Sequence, residues 1–140
     1  MPDVHGLLLD THAWIWLNTG SGELTSASLE RIDAEALRGQ VYISVISVWE
    51  LATLAAKGRI TLRTSVREWV DDALSQPGIH LLPLSAAVAV ESAALPGAMH
   101  ADPADRILVA SARLHRLVLL TRDKKILEYA GPGHLLAEPI

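Results

Sequence analysis

The sequence predicts an α/β fold, a three-layer α/β/α sandwich around a central, mainly parallel sheet of four to five strands. Short apolar runs alternate along the chain with longer segments of helical periodicity. Such alternation is typical of a parallel sheet that helices cover on both faces. A length of 140 residues is that of one ordinary domain, so we expect residues 1–140 to share a single core.

The predicted strands are short apolar runs bounded by turn residues. They cover residues 6–10, 41–44, 79–84 and 117–120, with an edge strand at 135–136. The predicted helices cover residues 11–18, 26–37, 47–57, 65–74, 85–95, 102–115 and 124–129. Side-chain oxygens at a helix start can accept from the free N–H groups of the first turn. The expected N-caps are Ser26 or Ser28, then Ser47, Ser65, Ser85 and Asp102. Pro103 follows Asp102 at the first helical position, which proline favours.

Composition excludes several classes of protein. The chain has no cysteine, which rules out a disulfide scaffold and a thiolate metal site. A net charge of −4 argues against a protein that coats nucleic acid by charge alone, but not against a nuclease whose acidic site holds a metal. We see no signal peptide and no apolar run near the ~20 residues of a membrane span. We therefore expect a cytoplasmic protein without a membrane segment.

Four acidic residues carry the strongest functional signal. Asp10, Glu50, Asp105 and Asp123 each lie at or near the end of an apolar run. Because the carboxyl ends of parallel strands open on one crevice, we expect these distant side chains to meet there. Like charges in contact repel, and a divalent cation such as Mg²⁺ or Mn²⁺ removes that repulsion. The pattern therefore predicts a metal-dependent phosphodiesterase.

Each aspartate also has a purely structural explanation. Asp10, Asp102 and Asp123 each precede a predicted helix and can cap it. Asp105 lies in the first turn of a predicted helix, where negative charge is favourable. We prefer capping for Asp102 and metal binding for Asp105.

Glu50 is harder to explain without a functional partner. It follows Trp49 within an apolar stretch, where an isolated acid would be costly. A salt bridge to Lys57 or Arg59 is the competing account. Each acid alone is weak evidence for a metal site. The hypothesis rests on the fact that acids recur at the ends of several predicted strands.

The segments that contain these acids closely resemble the PIN-domain ribonucleases, in particular the VapC toxins of prokaryotic toxin–antitoxin pairs. The resemblance runs in order from about residue 6 to residue 130. The matching segments are residues 7–12, 44–51, 57–60, 100–110 and 119–123. It implies a PIN-like three-layer fold, cleavage of RNA with Mg²⁺ or Mn²⁺, and inhibition by a cognate antitoxin.

The resemblance also implies roles for individual residues. Asp10, Glu50, Asp105 and Asp123 match the acidic quartet of the family, and no quartet position departs from it. We expect Asp10 and Asp105 to be direct ligands, and Glu50 and Asp123 to hold a ligand water or a second metal. The further positions are Asp102, an acid frequent in this subgroup, and Thr121, a hydroxyl beside the fourth acid.

Several weaker predictions complete the sequence analysis. Thr11 can bind phosphate or a metal-bound water, or can be a simple turn hydroxyl. Arg106, Arg122 and Lys124 are candidates for a phosphate-binding rim. A homodimer is also expected, alongside the RNA substrate and the antitoxin.

Two other functions compete with the ribonuclease hypothesis. A haloacid-dehalogenase-like phosphatase would use Asp10 as its nucleophile, but such enzymes carry a second aspartate where this chain has His12. A non-catalytic interaction domain could keep the fold, and the intact acids count against it.

Overall fold

The computed structural model describes residues 5–140 and confirms the predicted α/β architecture. Five strands form one sheet in the order β3-β2-β1-β4-β5, and every neighbouring pair is parallel. The strands are β1 (Leu7–Leu9), β2 (Val41–Ser44), β3 (Ile79–Leu82), β4 (Val118–Thr121) and β5 (Ala137–Pro139). The helices are α1 (Thr11–Thr19), α2 (Ser26–Leu37), α3 (Val45–Ala56), α4 (Val66–Leu74), α5 (Ala86–Ala93), α6 (Pro103–His115) and α7 (Lys124–Ala130).

The alternation of side chains along β1 builds two cores, one on each face of the sheet. Leu7 and Leu9 point into a cluster with Trp14 of α1, whereas Leu8 points into a second cluster with Val109 of α6. All these side chains are fully buried. The central strand is therefore apolar on both sides, which explains why its sequence is a continuous leucine run.

The chain order creates a crevice beside β1. From β1 the chain moves to β2 and β3 on one side, and β4 and β5 then follow on the other. In open parallel sheets, ligands bind at such a switch point, outside the carboxyl ends of the strands. Asp10 follows β1 directly, and Asp123 lies two residues after β4.

Three of the predicted N-caps are confirmed, and those predicted for α2 and α3 are wrong. Helix α2 is capped by Thr25 rather than by Ser26 or Ser28. Ser65, Ser85 and Asp102 cap α4, α5 and α6 as expected. Helix α3 is capped by Ser44 rather than Ser47, because it begins immediately after β2 without a connecting loop. The predicted edge strand at 135–136 is also displaced, because β5 pairs with β4 through residues 137–139.

Within residues 5–140, no helix combines the length and the apolar character needed to cross a membrane.

Candidate metal centre and active site

Asp10 lies at the carboxyl end of the central strand and uses both carboxylate oxygens. Its Oδ1 accepts from the backbone N–H of Ala13 at 2.8 Å, which caps α1. Its Oδ2 accepts from the hydroxyl of Thr121 at 2.6 Å. The predicted capping role is therefore real. It does not exhaust the carboxylate, because each oxygen can accept more than one interaction.

Thr121 connects the first and the fourth acid. While it donates to Asp10, its Oγ1 accepts from the backbone N–H of Asp123 at 3.0 Å. Asp123 in turn caps α7 by accepting from the N–H of Lys125 at 2.8 Å. The hydroxyl that the sequence singles out therefore ties the turn after β4 to the end of β1.

Glu50 reaches the same edge of the sheet from α3. Its Oε1 lies 2.6 Å from Oγ1 of the buried Thr11, which is also 2.9 Å from Oγ of Ser47. Because Thr11 has one hydroxyl proton and a carboxylate only accepts, Thr11 donates to Glu50 and accepts from Ser47. Among the residues that the structure describes, no salt bridge joins Glu50 to Lys57 or Arg59, so the competing explanation is wrong.

Asp105 is at the centre of the acidic cluster. The exposed Asp102 caps α6 by accepting from the backbone N–H of Asp105 at 3.0 Å, which leaves the Asp105 side chain directed into the crevice. Its Oδ2 lies 2.7 Å from Nε2 of His100. One donor atom each from His100, Asp105 and Asp123 lies within 4.8 Å of the other two. Asp10 and Glu50 lie outside this three-donor cluster.

Burial and the neighbouring negative charges raise the pKa of two of the acids. Burial raises the pKa of Glu50 above its ordinary value of 4.5, and the charges of Asp105 and Asp102 raise it further, against the hydrogen bond from Thr11. Burial also raises the pKa of Asp105 above 3.8. The hydrogen bond with His100 opposes that rise, and the negative charges of Asp102 and Asp123 add to it. Repulsion therefore connects Glu50 to Asp105 and Asp105 to Asp123.

Arg106 faces a loop rather than the crevice. Its Nε donates to the carbonyl of Ser92 at 2.8 Å, and its Nη1 donates to the carbonyls of Met99 at 3.0 Å and His100 at 3.3 Å. These bonds attach the segment between α5 and α6 to the start of α6. We therefore assign Arg106 a structural role, and its predicted place in a phosphate rim has no support in the geometry.

Arg122 is the predicted rim cation that the structure holds in place. Its guanidinium lies 4.6 Å from the ring centroid of Trp16 and donates to Glu23 at 2.8 Å. It is exposed and directly precedes Asp123, and Lys124 on the other side of Asp123 is also exposed. Two exposed cationic residues thus flank the fourth acid in the chain, and one of them is paired with Glu23.

Sequence reasoning missed two polar side chains of the site, namely His100, which contacts Asp105, and Ser47, which contacts Thr11 and through it supports Glu50. His100 lies in a loop with no periodicity, so its contact with Asp105 depends on a backbone path that no local pattern describes. The one feature of the sequence that points to this contact is that His100 lies only five residues before Asp105. The sequence pattern predicts that Ser47 caps a helix, whereas in the structure Ser47 lies inside α3, one turn before Glu50.

The raised pKa of Glu50 predicts a pH-dependent effect of Glu50→Gln in metal-free protein. A folded state with a raised carboxyl pKa binds its proton more tightly than the unfolded state does. The free energy of unfolding of the wild type therefore falls as pH rises through the window above 4.5. The variant lacks this loss, so its stability relative to the wild type should increase through that window and then level off. Urea unfolding between pH 4 and pH 8 measures the difference. A constant difference at every pH would contradict the electrostatic account.

Known proteins with similar sequences and structures agree with the fold and the acidic site described above. Residues 7–132 match the PIN domain. The chain is 29% identical over 126 residues to ribonuclease VapC22 of Mycobacterium tuberculosis, covering 90% of this chain and 93% of that protein. Among solved structures, it resembles a toxin–antitoxin complex from Klebsiella pneumoniae with a TM-score of 0.63 and 27% identity, over 94% of this chain and 95% of the other. It also resembles FitAcB from Neisseria gonorrhoeae, with a TM-score of 0.60 and 26% identity over 85% and 88% of the two chains.

The PIN domain match covers every strand from β1 to β4 and all the acids described above. An acidic crevice at the switch point of a parallel sheet, inside that match, leaves no doubt about the relationship: the chain belongs to the PIN domain family.

Proposed function

We propose that residues 1–140 form one nuclease domain, a metal-dependent endoribonuclease that acts as the toxin of a toxin–antitoxin pair. The observation that carries this proposal is the convergence of Asp10, Glu50, Asp105 and Asp123 at one edge of the sheet of a PIN domain. Identity to the ribonuclease VapC22 supports RNA as the substrate. The substrate class is therefore RNA, and the reaction is hydrolysis of a phosphodiester bond.

The donor set suits a divalent cation. The cluster around Asp105 and Asp123 offers carboxylate oxygens within 4.8 Å of one another, and carboxylates are the ligands that Mg²⁺ and Mn²⁺ take in proteins. Burial, together with the neighbouring carboxylates, raises the pKa of Glu50 and of Asp105, and a bound cation would favour their charged forms. Asp105 and Asp123, whose donor atoms lie together, would hold the ion, in place of the expected pair of Asp10 and Asp105. Asp10 and Glu50 would then hold a ligand water or a second ion. We propose Mg²⁺ or Mn²⁺ as that ion.

The bound ion would supply the chemistry, and the side chains around it would hold the acids and the RNA in place. A bound divalent ion lowers the pKa of a water and stabilises negative charge on a phosphate. Thr121 and Thr11 fix Asp10 and Glu50 through hydrogen bonds of 2.6 Å each, so these carboxylates need little reorganisation during the reaction. Arg122 would bind the phosphate backbone, because Trp16 already holds its guanidinium beside the fourth acid.

Membership of the PIN family argues against the alternative of a haloacid-dehalogenase-like phosphatase. That chemistry would also need a second aspartate two residues after Asp10, where this chain has His12. The non-catalytic interaction domain is disfavoured because the acids are all present and directed to one edge of the sheet.

Metal removal tests the proposed activity. Purified protein, free of any antitoxin, should cut RNA with added Mg²⁺ or Mn²⁺, stop with a chelator and resume when metal is restored. Glu50→Gln should lower the rate by roughly 10- to 100-fold or more, in the range found when groups that support a metal site are lost. Glu30→Gln, at an exposed position on α2, is the matched control and should keep the wild-type rate. Turnover of a small phosphoester should be absent, and undiminished RNA cleavage after complete metal removal would refute the mechanism.

The proposed partner is an antitoxin protein. The structure from Klebsiella pneumoniae is a toxin–antitoxin complex, which supports a protein inhibitor for this chain. A cationic side chain of such an inhibitor could neutralise the carboxylates that otherwise hold the metal. A homodimer is part of the same proposal, since Trp49 on α3 and Val90 on α5 are apolar and 61% and 70% exposed. Light scattering of the purified chain would give the mass of the assembly.

Expression in a bacterial host tests the toxin role. The wild type alone should slow growth, because uncontrolled RNA cleavage depletes essential transcripts, and co-expression of the product of the neighbouring gene should restore growth. Glu50→Gln, expressed to the same level, should leave growth unchanged. Normal growth with soluble, RNA-cleaving wild type would count against the toxin role. A neighbour that neither binds nor rescues would count against the pairing.

A further inference from the structure

His100 is held at the active site by its backbone as well as by its side chain. The two hydrogen bonds from Arg106 to the carbonyls of Met99 and His100, at 3.0 and 3.3 Å, attach this segment to α6. Asp105 belongs to the same first turn of α6 as Arg106. The backbone that carries His100 is therefore attached to the same helical turn that carries Asp105.

The spacing of the donor atoms is that of ligands on one ion. Nε2 of His100 lies 2.7 Å from Oδ2 of Asp105, and both lie within 4.8 Å of a donor atom of Asp123. An octahedral ion with ligands at about 2.0–2.1 Å places adjacent donor atoms about 3 Å apart and opposite donor atoms about 4.2 Å apart. All three donors can therefore reach one centre with small side-chain adjustments.

We infer that His100 contributes a nitrogen ligand beside Asp105 and Asp123, so that the site prefers Mn²⁺ to Mg²⁺. This inference rests on the proposed metal-dependent function and deepens it. Mg²⁺ is bound in proteins by carboxylates, phosphates and water. Mn²⁺ accepts the same oxygen ligands, but as a first-row transition metal it belongs to the series of ions that bind mixed nitrogen and oxygen sites. A site with one imidazole and two carboxylates gives the transition metal an extra favourable bond, from which Mg²⁺ gains little.

A positioning role is the alternative explanation of the same contact. In that case the ring only donates a hydrogen bond that orients Asp105, and the ion binds oxygen alone. Glutamine separates the two roles, because its side-chain amide can still donate to Asp105 but offers no imidazole nitrogen. A positioning role predicts that His100→Gln behaves like the wild type and that His100→Ala weakens Mg²⁺ and Mn²⁺ binding equally.

Spin-echo spectroscopy of the Mn²⁺-loaded wild type tests the inference without any substitution. Electron spin echo envelope modulation should show a nitrogen coupled directly to Mn²⁺, and ¹⁵N-labelling of histidine should change that signal. The signal should vanish in His100→Gln and persist in His12→Gln, the control for the exposed histidine near Glu50. A bound Mn²⁺ without a histidine nitrogen would overturn the inference and leave the proposed nuclease function standing.

Binding titrations with each metal alone provide the second readout. In His100→Gln, the Kd for Mn²⁺ should rise by at least about tenfold, since even outer-shell partners of a metal ligand contribute that much. The Kd for Mg²⁺ should change by less than about threefold, because Mg²⁺ takes oxygen ligands. Equal changes for both metals would overturn the preference for Mn²⁺. A wild type that binds neither metal would overturn the metal-dependent function together with this inference.

Discussion

The parallel pairing of β1 with both of its neighbours is the constraint on which the site depends. Leu9 lies opposite Ile43 of β2 and Leu120 of β4, and the N–H of Asp10 extends the pairing by donating to the carbonyl of Leu120 at 3.1 Å. This register fixes the first acid beside Thr121. A shift of one residue would place Gly6 or Asp10 at a position that a fully buried leucine now fills, so the buried sheet also protects the geometry of the acids.

Holding several carboxylates at one edge of a sheet has an electrostatic cost, which the local hydrogen bonds reduce. Asp10 and Asp123 accept from the backbone N–H groups of the helices that they cap, and Thr11 donates to Glu50. The side chain of Asp105 does not cap a helix, and it interacts with His100 instead. Capping and metal binding are therefore compatible roles of the same side chains, since a carboxylate has oxygens enough for both.

The strand-end acids could be predicted because parallel sheets gather the carboxyl ends of their strands, whatever the rest of the chain does. Capping residues such as Ser65 and Ser85 are local signals and were equally visible. In helix α2, by contrast, the local sequence pattern predicts the wrong burial for two residues. The periodicity of α2 predicts an exposed Glu35 and an inward-facing Leu37, whereas in the structure Glu35 is 4% exposed and Leu37 is 90% exposed.

Ion pairs compensate for the burial of Glu35, because Arg31 and Arg38 of the same segment lie at 3.3 and 3.7 Å from its carboxylate. In the sequence, such a buried acid cannot be distinguished from an acid on the surface. The contact of His100 is hidden for a different reason, since it depends on a loop that Arg106 attaches to α6. Contacts made across loops have no periodic signature.

The melting behaviour of Asp105→Asn, with and without Mn²⁺, tests most directly whether metal relieves repulsion among these acids. Asparagine keeps an oxygen for His100 but removes the charge that both Glu50 and Asp123 face. Without metal, the variant should be at least as stable as the wild type. Mn²⁺ at about 100 times its Kd should stabilise the wild type by roughly 2.7 kcal/mol and the variant far less. Asp33→Asn, at an exposed site on α2, should behave like the wild type. A variant that is destabilised without metal, yet gains as much from Mn²⁺ as the wild type does, would contradict the account.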